Sequence, residues 1–412
     1  MSTRSTRLNK WRLRKRTLTL ADLTIQSHAK RQTVQSRLRP KVLICRCDET
    51  TVAAEMERIF DHLGVDPRGK RVVVKPNMVG PFRPDRHATT SPVVVAATVE
   101  ALRKRGAAEI IVGDNPGRES YGAVMHAARV TGILEASQGC FRNIASPMVS
   151  VETGCSFAPR LCFSQAILDA DLLISLAKFK THLLTLLTGV VKNSFGHVVG
   201  GGKAQVHRLS GSVEQFSEAL VHIYAVRPPD LCVIDAIVAM QGDGPTGNDL
   251  IRLDRLIAST DGVAADAVMA RLIGLDPLEV SHLRIAAERG LSVVERSNME
   301  IEGDDSAIAG FRLPCTYRRR RWFSFLIHRV LFGGVIARAK FRVTEACTGC
   351  GTCAESCPVE AIVLSGKDQR ARPTFDYDRC VRCYCCDELC PASAIELTSP
   401  LLGRRAFQHF DR

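Results

Sequence analysis

Short apolar runs alternate with helix-like segments through the first three quarters of the chain. β-Branched residues fill the runs at residues 71–75 and 109–113, and each run precedes a stretch in which apolar residues recur at helical spacing. Strands of this kind, separated by helices, are typical of a mostly parallel sheet covered on both faces. The predicted strands are residues 41–47, 71–75, 109–113, 172–176, 231–234 and 255–259, and the predicted helices are 51–63, 93–105, 120–129, 164–170, 212–224 and 262–273.

Polar residues follow five of the predicted strands: Lys75, Asp114, Lys178, Asp235 and Asp261. In open α/β sheets, ligands bind beyond the carboxyl ends of the strands, so we expect these five side chains to share one rim. Several lysines beside carboxylates suit an anionic substrate, such as a carboxylate or a phosphate. The expected substrate-binding residues are Lys75, Asn77, Asp114, Lys180, Lys192 and Asn193.

The densest candidate for chemistry is the span 178–207, which holds four lysines and three histidines. Lys178, Lys180 and His182 alternate, so an extended segment would place all three on one face. Lysines disfavour the protonated form of a histidine between them, which suits a general base or a metal ligand. We therefore predict that Lys178, His182 and Asp235 are catalytic. The alternative is a basic loop that only binds an anion.

Two glycine-rich motifs fail the tests of their context. Residues 242–247 (GDGPTG) match a dinucleotide fingerprint, but a strand-like segment follows them where the fingerprint needs a helix. Residues 200–203 (GGGK) resemble a phosphate loop, but His197 and Ala204 stand where Walker A needs Gly and Ser or Thr. We expect the second motif to be a flexible glycine loop that closes over a ligand.

The cysteines near the C-terminus form two runs of C-x2-C-x2-C-x3-C-P, which are typical of 4Fe–4S ferredoxins. The runs align without gaps at an offset of 33 residues (380 − 347), which indicates an internal duplication. In two-cluster ferredoxins, the fourth cysteine of each run binds the other cluster. We assign one 4Fe–4S cluster to a first cysteine quartet and a second to a second quartet. The first cysteine quartet is Cys347, Cys350, Cys353 and Cys390, and the second is Cys357, Cys380, Cys383 and Cys386.

A ninth cysteine in this region, Cys385, aligns with Thr352 and is left out of the ligand set, although a shifted register stays open. Zinc sites and disulfides are the alternatives to clusters. Zinc sites usually use two C-x2-C pairs, and disulfides need an oxidising compartment. The remaining cysteines show no paired spacing, so we predict reduced thiols and a cytoplasmic protein.

The net charge of +13 is concentrated at the N-terminus, where residues 1–41 hold twelve Lys or Arg against the single acid Asp22. We expect residues 1–40 to be a basic, disordered tail, and we do not expect nucleic acid as a partner. Residues 311–340 are predicted to form a basic, apolar linker helix. Its core at 318–340 also suits peripheral contact with a membrane surface, but it is too short and too charged to span a bilayer. We expect residues 399–412 to be a C-terminal tail.

Several motifs resemble one family. KPN at 75–77, KFKTH at 178–182, GVVKNSFG at 189–196, the GDGPTG loop and the second cysteine run resemble domain of unknown function 362, in its iron–sulfur form with a fused ferredoxin module. The resemblance spans residues 42–397. It implies an α/β domain at 41–310 followed by a small α+β two-cluster ferredoxin domain at 341–398, without an agreed reaction.

Together these features predict an iron–sulfur electron-transfer protein. The favoured function is an oxidoreductase that passes electrons from an external redox partner, through two 4Fe–4S clusters, to an anionic small molecule on the α/β domain. The alternative is a non-catalytic electron carrier or scaffold that docks a partner enzyme. A third hypothesis is a redox sensor whose basic tail binds nucleic acid.

Overall fold

Fourteen strands and twelve α-helices form the part of the chain that the computed structural model describes, which is residues 39–116, 124–317, 340–366, 371–381, 383–392 and 394–398. The strands are β1 (Lys41–Arg46), β2 (Arg71–Pro76), β3 (Glu109–Val112), β4 (Met148–Glu152), β5 (Arg160–Ser164), β6 (Leu172–His182), β7 (Leu186–Thr188), β8 (Leu231–Met240), β9 (Leu250–Ser259), β10 (Glu300–Glu302), β11 (Lys340–Val343), β12 (Ile362–Ser365), β13 (Arg372–Phe375) and β14 (Ile395–Thr398).

The α-helices are α1 (Val52–His62), α2 (Pro92–Lys104), α3 (Val124–Val130), α4 (Ile133–Ala136), α5 (Gln165–Leu168), α6 (Val190–Asn193), α7 (Gly202–Leu209), α8 (Val213–Val226), α9 (Gly262–Leu272), α10 (Ser281–Glu288), α11 (Thr352–Glu355) and α12 (Cys385–Glu388). Short 3₁₀ helices lie at Pro84–Arg86, Ser194–His197, Pro277–Glu279 and Arg296–Asn298. The predicted terminal tails and most of the predicted linker helix lie outside the described residues.

The main sheet has eight strands in the order β10-β1-β9-β8-β6-β2-β3, with β7 paired to β6. Neighbours β3, β2, β6 and β8 are parallel, whereas β9 is antiparallel to both β8 and β1. The prediction of a mostly parallel α/β sheet is therefore confirmed. The carboxyl ends of β2, β3, β6 and β8 meet at one edge, which fixes where their terminal side chains gather.

Helices cover both faces of this sheet, because its strands carry apolar side chains on both faces. On β6, Ile174 and Leu176 pack with α1 to α4, whereas Ala177 and Phe179 pack with α6, α9 and α10 on the other face. The strand is buried along its whole length, even at its polar C-terminal half. Those polar side chains must therefore find partners inside the protein.

The C-terminal region pairs β11 with β14 and β12 with β13, both antiparallel. Its core consists of cysteines and of the apolar residues that follow each cysteine run. Ala361 and Ile362 after the first run, and Ala394 and Ile395 after the second, are 8% exposed or less. This small strand-rich, ferredoxin-like region agrees with the predicted fold class.

One strand-end prediction is wrong. Asp261 follows β9, and because β9 runs antiparallel to its neighbours, Asp261 lies at the edge opposite to the other four residues. Its carboxylate caps α9 by accepting hydrogen bonds from the backbone N–H groups of Val263 and Ala264, both at 3.0 Å. Asp261 is therefore a helix-capping residue and not part of the shared rim.

Candidate functional site

A cavity of about 130 Å³ opens at the carboxyl ends of β2 and β3 and is closed on one side by the ferredoxin-like region. We call it the lysine cavity because Lys75, Lys192 and Lys203 all line it. Five of the six predicted substrate-binding residues lie here, and Lys180 does not. The five are Lys75, Asn77, Asp114, Lys192 and Asn193.

Lys75 is the buried centre of the cavity wall, with 1% of its surface exposed. Its Nζ lies 2.7 Å from Oδ1 of Asp114 and donates to Oδ1 of Asn193 at 2.8 Å. Burial lowers the pKa of Lys75, and the Asp114 carboxylate acts in the opposite direction. The ion pair and the amide together compensate the burial of the ammonium group.

The segment GVVKNSFG explains how the wall of the cavity is held. It forms α6 and the following 3₁₀ helix, and Asn193 within it also bonds Asn77 and Ser175, at 3.1 and 2.9 Å. A side chain on Gly196 would place its Cβ 2.3 Å from Oδ1 of Asp114 and 2.5 Å from Cε of Lys75. Glycine is therefore required there for the segment to approach the ion pair.

Gly189 has a similar role at the start of α6. A Cβ at this position would lie 2.0 Å from Oδ1 of Asp266. The Asp266 carboxyl accepts from the backbone N–H groups of Val190 and Val191, at 2.6 and 2.9 Å. Burial raises the pKa of Asp266 to about 7, although these two N–H groups act to lower it. Asp266 thus holds the first turn of α6, which carries Lys192 and Asn193.

Lys203 and His207 reach the cavity from α7, which begins at the glycine run 200–202. Gly200 and Gly201 form a turn and α7 begins at Gly202, so the predicted glycine loop is confined to the two residues before the helix. Lys203 donates to the carbonyl oxygens of Asn115 and Pro116, the latter at 2.9 Å. Burial lowers the pKa of Lys203 to about 8. Sequence reasoning missed both residues as site members, although their i, i+4 spacing would place them on one face of a helix.

Charge in the lysine cavity favours an anion. Its lining holds three lysines and one aspartate, an excess of two positive charges when all four are ionised. Amides of Asn77, Asn115 and Asn193 add hydrogen-bonding groups around the same space. This combination of a few cations and fixed polar groups is suited to a small carboxylate or phosphate.

The predicted catalytic residues lie apart from this cavity. Lys178 and Asp235 form an ion pair at 2.8 Å with both side chains fully buried. His182 accepts at Nδ1 from the backbone N–H of Leu184 at 3.0 Å, and Nζ of Lys180 donates to the carbonyl of Ala88 at 2.6 Å. Strand β6 does bring the three alternating residues together as an extended segment, but none of the four lines the lysine cavity. Their catalytic or binding roles stay predictions.

The cysteines of the ferredoxin-like region surround two small cavities. One is lined by Cys347, Cys350, Cys353 and Cys390, and the other by Cys357, Cys380, Cys383 and Cys386, with Cys385 beside them. These are the two quartets that the spacing predicts, including the exchange of the fourth cysteine. Four thiols around one cavity fit the donor set of a 4Fe–4S cluster. Burial raises the pKa of Cys353 to about 11, so iron binding must displace its proton.

The ferredoxin-like region also forms part of the wall of the lysine cavity. Ser356, Pro358, Cys385 and Leu389 line the cavity together with the lysines. Ser356 and Pro358 flank Cys357, and Cys385 precedes Cys386, so two members of the second quartet are covalent neighbours of the cavity wall. A ligand in the lysine cavity therefore lies beside the second cysteine quartet.

Family models of known proteins match both the α/β domain and the ferredoxin-like region. A family model for domain of unknown function 362 matches residues 72–271, and one for a 4Fe–4S dicluster domain matches residues 346–394. A thylakoid-associated protein of Synechocystis is 33% identical over 254 residues, which are 59% of this chain and 76% of that protein. The chain belongs to the domain of unknown function 362 family. In addition to the family domain, the chain carries an iron–sulfur domain.

Solved structures resemble this chain only distantly. A protein from Thermotoga maritima has a TM-score of 0.33 at 13% identity, and the match covers 59% of this chain and 60% of that one. A lactate racemase apoprotein from Thermoanaerobacterium thermosaccharolyticum has a TM-score of 0.34 at 12% identity, and the match covers 56% of this chain and 57% of that one. Neither likeness bears on the chemistry of the site.

The length and apolar character of a helix determine whether it can cross a membrane. Within the described residues, no helix has the length and apolar character needed to cross a bilayer. The segment predicted to touch a membrane surface, residues 318–340, lies almost wholly outside them. The cytoplasmic location stays a prediction.

Proposed function

We propose that this protein is an oxidoreductase that acts on an anionic substrate or cofactor in the lysine cavity, and that its two cysteine quartets hold two 4Fe–4S clusters. The observation that carries the proposal is the composition of the cavity. The cavity is lined by Lys75, Lys192 and Lys203 from the α/β domain and by residues of the ferredoxin-like region, three of which are sequence neighbours of second-quartet cysteines. When bound, such clusters supply one-electron transfer.

The lysines have different roles in this proposal. Lys192 and Lys203 are half-buried and present their charge to the ligand, whereas Lys75 is fixed by Asp114 and Asn193 and shapes the wall. Asn77 contributes an amide from the neighbouring loop. The wall around Lys75 excludes most water, which strengthens the attraction between an anion and these cations.

Proton handling is proposed for the Nζ of Lys203. Its pKa of about 8 lies close to neutral pH, where a group can both donate and accept a proton. The earlier candidates, His182 and Asp235, are fully buried and do not line the cavity. The geometry therefore favours Lys203 over them for proton transfer to a bound anion.

An external redox partner remains part of the proposal. Cys350 of the first quartet is exposed, whereas the second quartet lies against the α/β domain. A partner protein could approach the first quartet directly, and the second faces the substrate. This arrangement supports entry of electrons at the first quartet and their use beside the lysine cavity.

The decisive experiment is mass spectrometry of the small molecules released when anaerobically purified protein is denatured. We expect an anionic metabolite or cofactor in the wild type and in the exposed control Lys104→Met, but not in Lys192→Met or Lys203→Met. Iron and acid-labile sulfide should stay near eight of each per chain in all four proteins. An empty wild-type protein with full iron content would favour an electron carrier or scaffold.

A second measurement tests the assignment of the quartets. In Cys390→Ala, about half of the iron should be lost. Iodoacetamide should then label Cys347, Cys350 and Cys353, as read by peptide mass spectrometry, because these residues share a quartet with Cys390. Labelling of Cys380, Cys383 and Cys386 instead would show that each run holds its own cluster.

A further inference from the structure

Three metal-ligating side chains converge where the lysine cavity meets the second quartet. A ring nitrogen of His207 and the sulfur atoms of Cys383 and Cys385 all lie within 4.8 Å of one another, and all three residues are half-buried. We call them the donor triad. One member comes from the α/β domain and two come from the ferredoxin-like region.

Packing fixes the histidine of the triad. Its ring stacks on Phe216 at 4.5 Å between centroids and 22° between planes, and it meets the edge of Phe195 at 5.5 Å. Phe216 lies on α8 and is buried in the core cluster that also contains Val206 of α7. The imidazole is therefore held in one place before any ligand arrives, as a metal site requires.

Backbone geometry fixes the two cysteines. Tyr384, between them, has φ of 64°, a left-handed conformation that is costly for a tyrosine. Its ring is buried against the α/β domain and meets Phe341 edge-on at 6.0 Å. The equivalent residue of the first cysteine run is Gly351, with φ of 83°. The second run thus accepts strain at a position where its buried tyrosine presents both cysteines to α7.

The duplicated cluster-binding unit accounts for Cys383 but not for the other two donors. Cys383 aligns with Cys350, whereas Cys385 aligns with Thr352, and His207 lies outside the duplicated segment. His207 and Cys385 both line the lysine cavity. A cluster bound by the two quartets needs neither of them, yet both lie beside it.

We propose that His207 and Cys385 bind a zinc-class divalent ion, with the thiolate of Cys383 as a third ligand shared with the second quartet. Imidazole and thiolate are the ligands that such ions prefer. A thiolate sulfur retains lone pairs after binding one metal, so it can bridge to a second. Three protein ligands leave the fourth tetrahedral position open, as in catalytic zinc sites.

We place the open position towards the lysine cavity, which His207 and Cys385 both line. An oxygen of the bound anion would complete the coordination, and the ion would polarise that oxygen as a Lewis acid. This last step rests on the proposed function, whereas metal binding itself does not. The two are therefore measured separately.

The test uses full-length protein with reconstituted clusters, incubated anaerobically with Zn²⁺ and freed of loose metal on a chelating resin. The variants are His207→Phe, which keeps a ring over Phe216, and Cys385→Thr, which installs the residue of the first run. Exposed His126→Phe and half-buried Cys162→Ser are the controls. Zinc, iron and sulfide are counted per chain, without any assay of turnover.

We expect about one zinc ion per chain in the wild type and in both controls, and its loss in His207→Phe and Cys385→Thr with iron and sulfide unchanged. Zinc-edge X-ray absorption should show Zn–S distances near 2.3 Å and a Zn–N or Zn–O shell at about 2.0–2.1 Å. Zinc retained in both variants, no zinc in the wild type, or iron lost together with zinc in Cys385→Thr would overturn the proposal. A zinc-loaded protein with no released anion would leave the metal site standing and reject the substrate.

Discussion

Two lysine–aspartate pairs at neighbouring strand ends have the same local chemistry and different surroundings. Lys75 ends β2 and pairs with Asp114, beyond β3, at 2.7 Å. Lys178 lies on β6 and pairs with Asp235 of the adjacent β8 at 2.8 Å. In both pairs the aspartate also accepts a hydrogen bond from a backbone N–H, that of Met78 or that of Ser91, at 2.8 Å.

What covers the two pairs makes the difference. Ser91, which bonds Asp235, immediately precedes α2, so the start of that helix closes over the Lys178 pair. The Lys75 pair is covered by Gly196 and Asn193, and the glycine leaves space for the lysine cavity beside it. Charged strand ends therefore predict buried ion pairs as readily as binding sites, and the segment that covers them decides between the two.

The largest effect is expected for the Lys178–Asp235 pair, which we call the sealed pair because the start of α2 covers it. Lys178→Met should lower the free energy of unfolding by about 3–5 kcal/mol, because it leaves a buried carboxylate without its partner. The double variant Lys178→Met/Asp235→Leu should recover most of this loss. Urea unfolding of cluster-loaded protein, followed by circular dichroism, measures both, with Lys104→Met as the exposed control. A single variant as stable as the wild type would contradict the sealed ion pair.

A glycine substitution tests the Lys75–Asp114 pair, which lies beside the lysine cavity. Gly196→Ala forces a Cβ against Asp114 and Lys75, and we expect a loss of about 1–3 kcal/mol in unfolding free energy. Sulfate, a probe whose charge is constant over the neutral and mildly alkaline range, should bind several-fold more weakly in calorimetry. Gly201→Ala is the matched control, because a Cβ at that position would have no heavy atom within 4 Å. Equal sulfate affinity in Gly196→Ala and the wild type would show that the Lys75 pair does not affect anion binding in the cavity.

The pH dependence of anion binding tests the charge of the cavity. Because the pKa of Lys203 is about 8, its positive charge is present at pH 7 and is lost as the pH rises towards 9. Sulfate affinity should therefore fall by about tenfold over this range, as for loss of a charge-assisted hydrogen bond. Lys203→Met should bind sulfate weakly at pH 7 and show no further fall. A pH step that persists in this variant would assign the titration to another group.

The smallest effect is expected at His87, next to the sealed pair. Burial lowers the pKa of His87 first, and the charge of Lys178 lowers it further. Its φ of 47° is a conformation that asparagine tolerates, so His87→Asn should change unfolding free energy by less than about 1 kcal/mol. Sulfate affinity, measured by calorimetry, should not change. Loss of turnover in this variant, once a substrate is known, would return the catalytic role to Lys178 and Asp235.

The strand-end pattern correctly brought Lys75 and Asp114 together, because parallel strands have their carboxyl ends at one edge. The same pattern placed Asp261 at the wrong edge, because apolar runs do not reveal strand direction. It also grouped Lys178 and Asp235 with a pocket, although the start of α2 seals them. The cavity residues of α7 were missed because the glycine run before them was interpreted as a loop.

The order of residues alone indicates the family, the alternation of strands and helices, and the membership of two cysteine quartets. These features depend on local spacing and on a duplicated motif, which the chain carries explicitly. Which charged groups face a cavity depends on the tertiary structure, and so does the contact of that cavity with residues beside the second quartet. That outcome depends on packing between distant segments, such as Tyr384 against the core beside Phe216, and packing of this kind has no signature in the order of residues.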